Sequence, residues 1–185
     1  MHAEIDGERL EDHEIAFGFA LLVAAGNDST KATYSNGMWA LLREPGQRNR
    51  LVENPGLIAS AVEEFLRMYP AFGHFRRTAT RDVELHGKTI RERDKVILSY
   101  PSCNRDEAVH ACPHQLDVTR NPEHQAFGSG GRHFCLGTAL ARLELKVMVE
   151  ETLERYPGME LVGEVDVVRS LFLNQPRGLP VRLRP

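Results

Sequence analysis

From Ile15 to Ala25 the chain is apolar at almost every position, and polar residues break in only from Asn27 onward. An unbroken apolar run of this kind reads as a helix covered on all sides. With Asp12 as its N-cap, the helix is expected from about His13 towards Leu42, its first half buried. The run PGQRNRLVENP reads as a short helix between prolines. PGLIASAVEEFLRMYP has one apolar face, with Pro55 near its start and Pro70 at its end. The texture then changes. RRTATRDVELHGKTIRERDKVILSY alternates, which predicts a short β-hairpin or meander turning at Gly87. Residues 101–134 show no period, and so long an irregular segment inside a compact domain usually has a functional task. In CLGTALARLELKVMVEETLERY apolar residues recur at Leu136, Leu140, Leu143, Val147 and Leu153. That spacing predicts a helix beginning at Cys135 and stopped by Pro157 and Gly158. VDVVRSLFLNQPRGLPVRL predicts two short terminal strands around a Pro-Arg-Gly turn. The expected fold class is mainly α with small β elements (α+β).

Composition narrows the function classes. At 185 residues the chain can bury one good core or two modest ones. A net charge of -3 gives no reason to expect nucleic acid as a partner. No apolar run reaches membrane-spanning length, and the acidic start MHAEIDGERLEDHEI is unlike a secretory or transit signal, so a soluble, cytoplasmic protein is expected. Three cysteines, Cys103, Cys112 and Cys135, with no CxxC, argue against a disulfide framework or a zinc site of the usual spacing.

Candidate chemistry gathers in FGSGGRHFCLG, residues 127–137, which sets one cysteine behind a glycine-rich loop beside an arginine and a histidine. A thiolate at a helix N-terminus is favoured by the backbone N–H groups and the helix dipole. Glycines let backbone approach whatever the sulfur binds. An inert core cysteine and a redox or nucleophilic thiol are the alternatives, but neither explains the glycines, and no resolving cysteine or obvious base triad lies nearby in sequence. A single axial thiolate on a haem iron needs one cysteine, open backbone, and positive groups nearby for two propionates.

The chain resembles the C-terminal half of a bacterial cytochrome P-450, a haem-thiolate monooxygenase, over essentially all of its residues. Four segments carry the likeness in family order: AAGNDST, EEFLR, NRDEAVHACPHQLDVTR and GGRHFCLG. Each is weak alone; their ordered combination is specific. The resemblance implies one partial domain spanning 1–185, with haem b held by Cys135 as the axial metal ligand. Ala25 and Gly26, small residues on the long helix, let a flat cofactor lie against it. Asp28, Ser29 and Thr30 become the catalytic acid and hydroxyls that manage oxygen and protons, with Ser29 where threonine is usual. Outside that context they read as solvated polar residues of a loosened helix. Glu64, Arg67 and Arg120 form a structural ion-pair network behind the cysteine loop. Arg77, with Arg76 as its competitor, and His133 are propionate partners, and Phe127 opens the loop on the cofactor. Arg132 is expected at the surface, where an electron donor docks.

Partners implied are a ferredoxin-type electron donor and a small apolar substrate. The loop from Phe127 to Cys135 is one residue longer than the commonest family pattern, a form shared with sterol and terpene hydroxylases. Arg93 stands where a turn glycine is usual. The residues preceding the central helix in the family have no counterpart in this sequence. Two alternatives therefore stay open, a non-catalytic fragment and a haem-binding module without monooxygenase activity. Self-association through uncovered apolar surface is also expected.

Overall fold

In the computed structural model, which describes residues 4–184, long helices form the core and four small two-stranded sheets lie around it. A hairpin of β1 (Glu4–Ile5) and β2 (Glu8–Arg9) leads into α1 (Asp12–Arg43). The N-cap is Glu11, not Asp12: Glu11 has extended backbone, and its N–H donates to the Glu14 carboxylate at 2.9 Å. Asp12 takes the first helical position, where an acidic side chain also suits the dipole. α2 (Pro45–Glu53) follows with Pro45 in its first turn. A 3-10 turn over Pro55–Leu57, in which Asn54 Oδ1 accepts from the Gly56 N–H, then leads into α3 (Ile58–Met68).

The core is built where α1, α3 and α5 (Thr138–Arg155) meet. Met38 and Leu41 of α1, Ile58, Ala61, Val62 and Phe65 of α3, and Leu145, Val149 and Leu153 of α5 are buried there. Only the second half of α1 takes part. Contrary to expectation its apolar first half is exposed, with Phe17 at 75% and Leu21 at 68%. The buried residues of α1 run from Thr30 to Leu41, and the earlier turns stay exposed. Of the recurring set, Leu136 precedes α5, Leu140, Leu143 and Val147 face outward, and only Leu153 joins Leu145 and Val149 in the buried stripe. Helical spacing identifies a face, but several faces of this helix are apolar, and packing selects one.

The alternating stretch forms two nested hairpins. β3 (His74–Thr78) pairs antiparallel with β6 (Lys95–Ser99), and β4 (Val83–Leu85) with β5 (Lys88–Ile90) inside that loop. His86 and Gly87, at φ 48° and 71°, give the two left-handed residues of a tight hairpin turn. Arg93 also has a positive φ of 71°, the conformation a turn glycine would take without strain. After α4 (Tyr100–Cys103) the irregular segment runs on to α5. At the C-terminus β7 (Glu160–Leu161) pairs with β8 (Val181–Arg182), so one of the two strands lies before the expected stretch. An isolated bridge joins Val167 to Pro176, which makes the Pro-Arg-Gly segment part of the returning arm and not its turn.

Candidate functional site

Cys135 does not open a helix. α5 starts at Thr138 with Gly137 as its N-cap, so the thiol sits on the approach to the helix. The helix cannot begin earlier because the loop closes on itself first. The Cys135 N–H donates to the Phe127 carbonyl at 3.0 Å, and Phe134 N–H to the Gly131 carbonyl at 3.1 Å. Gly128, Gly130 and Gly131 all have positive φ, at 83°, 106° and 74°, which a side chain would resist. Cys135 is exposed and unpaired.

Beside this loop lies a cleft of about 620 Å³. The glycine turn, Arg132 and His133 line it from one side. Arg77, strand residues Ile97 to Ser99, and Cys103 line it from the other. Arg77 lines the cleft, and Arg76, its neighbour on the strand, does not. Arg132, expected at the surface, is exposed and also lines the cleft. Phe127 does not. Its ring packs against the core, 5.6 Å from the His124 ring, and the Arg142 guanidinium lies 4.8 Å above it.

The α1 candidates are spread over several faces of the helix. Ser29 donates its hydroxyl to the Ala25 carbonyl at 2.7 Å, and Asp28 pairs with Lys31 at 2.8 Å. Thr30 is buried and, with Gly26, lines a second groove whose other wall is Glu144 and Met148 of α5. A Cβ built at Gly26 would meet no atom within 4 Å, so the helix is open there.

Behind the loop, Glu64 and Arg67 are fully buried and joined by two bonds of 2.7 Å. Every donor of Arg67 is used. Nη1 donates to the carbonyls of Asn104 and Pro113, and the remaining Nη2 proton reaches that of Gln115 at 3.4 Å. Glu64 also accepts from the Asp117 N–H at 3.1 Å and from Arg120 Nε at 3.2 Å. A buried charge pair is tolerable only when satisfied in this way. It ties α3 to the irregular segment at four backbone points.

A second network had no part in the sequence reading. Arg142 of α5 grips Glu63 with Nε and Nη2 at 2.7 and 2.9 Å, and His124 Nε2 lies 3.0 Å from the same carboxylate. Burial alone would raise the Glu63 carboxyl, but hydrogen bonds from His124 and Arg142 outweigh it and hold the pKa at about 2. The bonds to Glu63 push the Arg142 guanidinium up, and the charge of Cys135 adds to that. The doubled glutamate in EEFLR was the available signal. Its second member points at Arg67, and the first sits one helical step round.

The cytochrome P-450 family model matches residues 52–173. The chain belongs to the cytochrome P-450 family. It is 44% identical to a methyl-branched lipid omega-hydroxylase of Mycobacterium tuberculosis over 98% of this chain and 43% of that protein. It is 40% identical to a steroid C26-monooxygenase of the same organism, over 99% of this chain and 47% of the relative. CYP109E1 from Bacillus megaterium, solved in complex with testosterone, superposes with a TM-score of 0.94 at 33% identity, covering all of this chain and 52% of that one. The chain therefore spans about half the length of the P-450s it matches. Its residues fit the family's haem: an exposed free thiol, a left-handed glycine loop leading to it, and three basic side chains in the adjoining cleft. No helix among the described residues is long and apolar enough to cross a membrane.

Proposed function

We propose that this chain is the haem-binding half of a bacterial P-450 monooxygenase acting on a lipid- or steroid-like substrate. One observation carries the reading. The cleft beside the cysteine loop brings Arg77 and His133, distant in sequence, into one lining with the glycines that lead to Cys135. Bound haem would supply the redox chemistry that inserts one atom of dioxygen into a C–H bond and reduces the other to water, using two electrons from a ferredoxin-type donor. Cys135 would be its thiolate ligand. Arg77 and His133 would neutralise the propionates, for which a guanidinium offers charge-assisted bonds.

On the other side, Ala25 and Gly26 leave room against α1. The Ser29 hydroxyl is held on the Ala25 carbonyl, one turn earlier in α1. Asp28 would move protons only after leaving Lys31, an exposed pair that breaks at little cost. Thr30, buried against α5, would fix the helix more than handle protons. The relatives named for lipid and steroid oxidation support an apolar substrate. The exposed first half of α1 favours the second reading, a haem-binding module without monooxygenase activity.

The test is the carbon monoxide difference spectrum of the reduced, haem-reconstituted chain. A thiolate-type Soret band is expected, lost in Cys135→Ser and kept in Cys103→Ser and Cys112→Ser. A band that survives in Cys135→Ser refutes the ligand assignment. Product formation with a ferredoxin donor then separates the monooxygenase from the binding module.

A further inference from the structure

The cysteine loop has few anchors of its own. Residues 129–137 are exposed, and three glycines with positive φ make the segment costly to order. At its start Phe127, next to Ala126, packs against the core, and the Phe127 carbonyl receives the Cys135 N–H. Whatever fixes Phe127 therefore fixes one end of the bond that sets the thiol. We propose that Arg142, clamped by Glu63 and His124, is a positioning residue that holds Phe127 and through it Cys135.

The hydrogen bonds are directional. The Ala126 N–H donates to His124 Nδ1 at 3.2 Å, so Nδ1 is the acceptor nitrogen and Nε2 carries the proton that goes to Glu63. Glu63 then holds the Nε and Nη2 edge of Arg142 in a two-bond fork, which orients the guanidinium plane. The central carbon of that guanidinium lies over the Phe127 ring, 4.8 Å from its centroid, and the His124 ring flanks it. One carboxylate thus ties α3, α5 and the residues before the loop to a single aromatic ring. This is separate from the Glu64, Arg67 and Arg120 network, which uses the neighbouring glutamate and never touches Phe127. The claim that the held thiol is an iron ligand rests on the function proposed above; the clamp itself does not.

The experiment is amide hydrogen exchange of the full chain, followed by NMR at Cys135, with Leu145 and Val149 in the middle of α5 as internal references. Arg142→Met keeps the stem and removes the fork and charge. Phe127→Leu keeps an apolar side chain and the carbonyl. Each should speed exchange at Cys135 by about ten-fold and leave the references unchanged. The double variant should exchange no faster than the faster single, because both remove the same link. Unchanged exchange in Arg142→Met, or single effects that multiply in the double, overturns the proposal. If the references also quicken, Glu63→Gln becomes the deciding variant: it keeps the shape, and faster exchange must then be confined to Cys135. In reconstituted samples, the same variants should lower the fraction of the reduced carbon monoxide complex showing the thiolate band. A wild-type chain that never gives that band counts against the proposed function, while exchange at Cys135 still judges the clamp.

Discussion

Gly37→Ala tests how closely α1 is fitted to α3, the helix carrying the buried ion pairs. A Cβ at Gly37 would lie 2.5 Å from Phe65 Cδ2, 2.6 Å from Cγ and 2.9 Å from Cε2. Carbon atoms rest at about 3.5–4.0 Å, so the overlap is about 1 Å. Cγ is the root of the ring, and Phe65 is fully buried, so the ring cannot swing aside. The backbone of α3 must move instead, and with it Glu64 beside Phe65. Two effects compete. Alanine in mid-helix gains about 1 kcal/mol over glycine. Overpacking a rigid core costs about 1–3 kcal/mol, and a clash at a ring root belongs near the top of that range. The net expectation is a loss of about 1–2 kcal/mol, a fall in Tm of about 3–8 °C for a chain of this size. Urea titration and thermal melting by circular dichroism measure it. Gly18→Ala on the same helix is the control: its Cβ would meet nothing within 4 Å, so propensity alone acts and stability should rise by about 0.5–1 kcal/mol. Equal stabilisation at both positions would refute the close packing of α1 on α3.

Three further outcomes follow from the same structure. Arg93→Gly should raise stability by about 0.5–1 kcal/mol in urea titration, because Arg93 sits at φ 71° and glycine takes that conformation freely; a loss would show the arginine side chain to matter more than the turn. Glu63, whose pKa is lowered from 4.5 to about 2, contributes stability that is complete above the unfolded value and lost as pH falls from about 5 towards 2. The advantage of wild type over Glu63→Gln should therefore be flat at neutral pH, at about 1–2 kcal/mol once the half-exposed Arg142 is discounted, and vanish near pH 2; a gap that does not change with pH contradicts the pairing. The double change Phe17→Glu and Leu21→Lys puts an i,i+4 ion pair on the bare face of α1 and should shift sedimentation towards monomer without altering unfolding, whereas unchanged association would place the sticky surface elsewhere.

What could be read in the sequence was local or motif-borne. The α3 boundaries are set by Pro55 and Pro70, and the His86-Gly87 turn by its glycine; both are effects within a few residues. Arg120 could be placed beside Glu64 only through the family pattern, since 56 residues separate them and no local rule reaches that far. Burial failed where it depended on what lies across from a helix. Phe17 and Leu21 look like core from composition, yet whether a face is covered is a property of its neighbours.

The start of α5 shows the same limit at the site itself. The apolar period beginning at Leu136 suggested that the helix started at Cys135 and that its dipole bore directly on the sulfur. But the Cys135 N–H is already committed to Phe127, which pins the residue to the loop, and the first turn of the helix forms beyond Gly137. Helix-dipole effects fall off within a turn. Arg142, in the second turn, is near enough for Cys135 to act on its guanidinium, and it is held by a carboxylate from α3. A pattern confined to one element cannot reveal that partner, because the contact depends on the distance between two helices. The electrostatic setting of Cys135 is therefore a tertiary property, fixed by how α3 and α5 pack, and it should change with any substitution that alters their spacing.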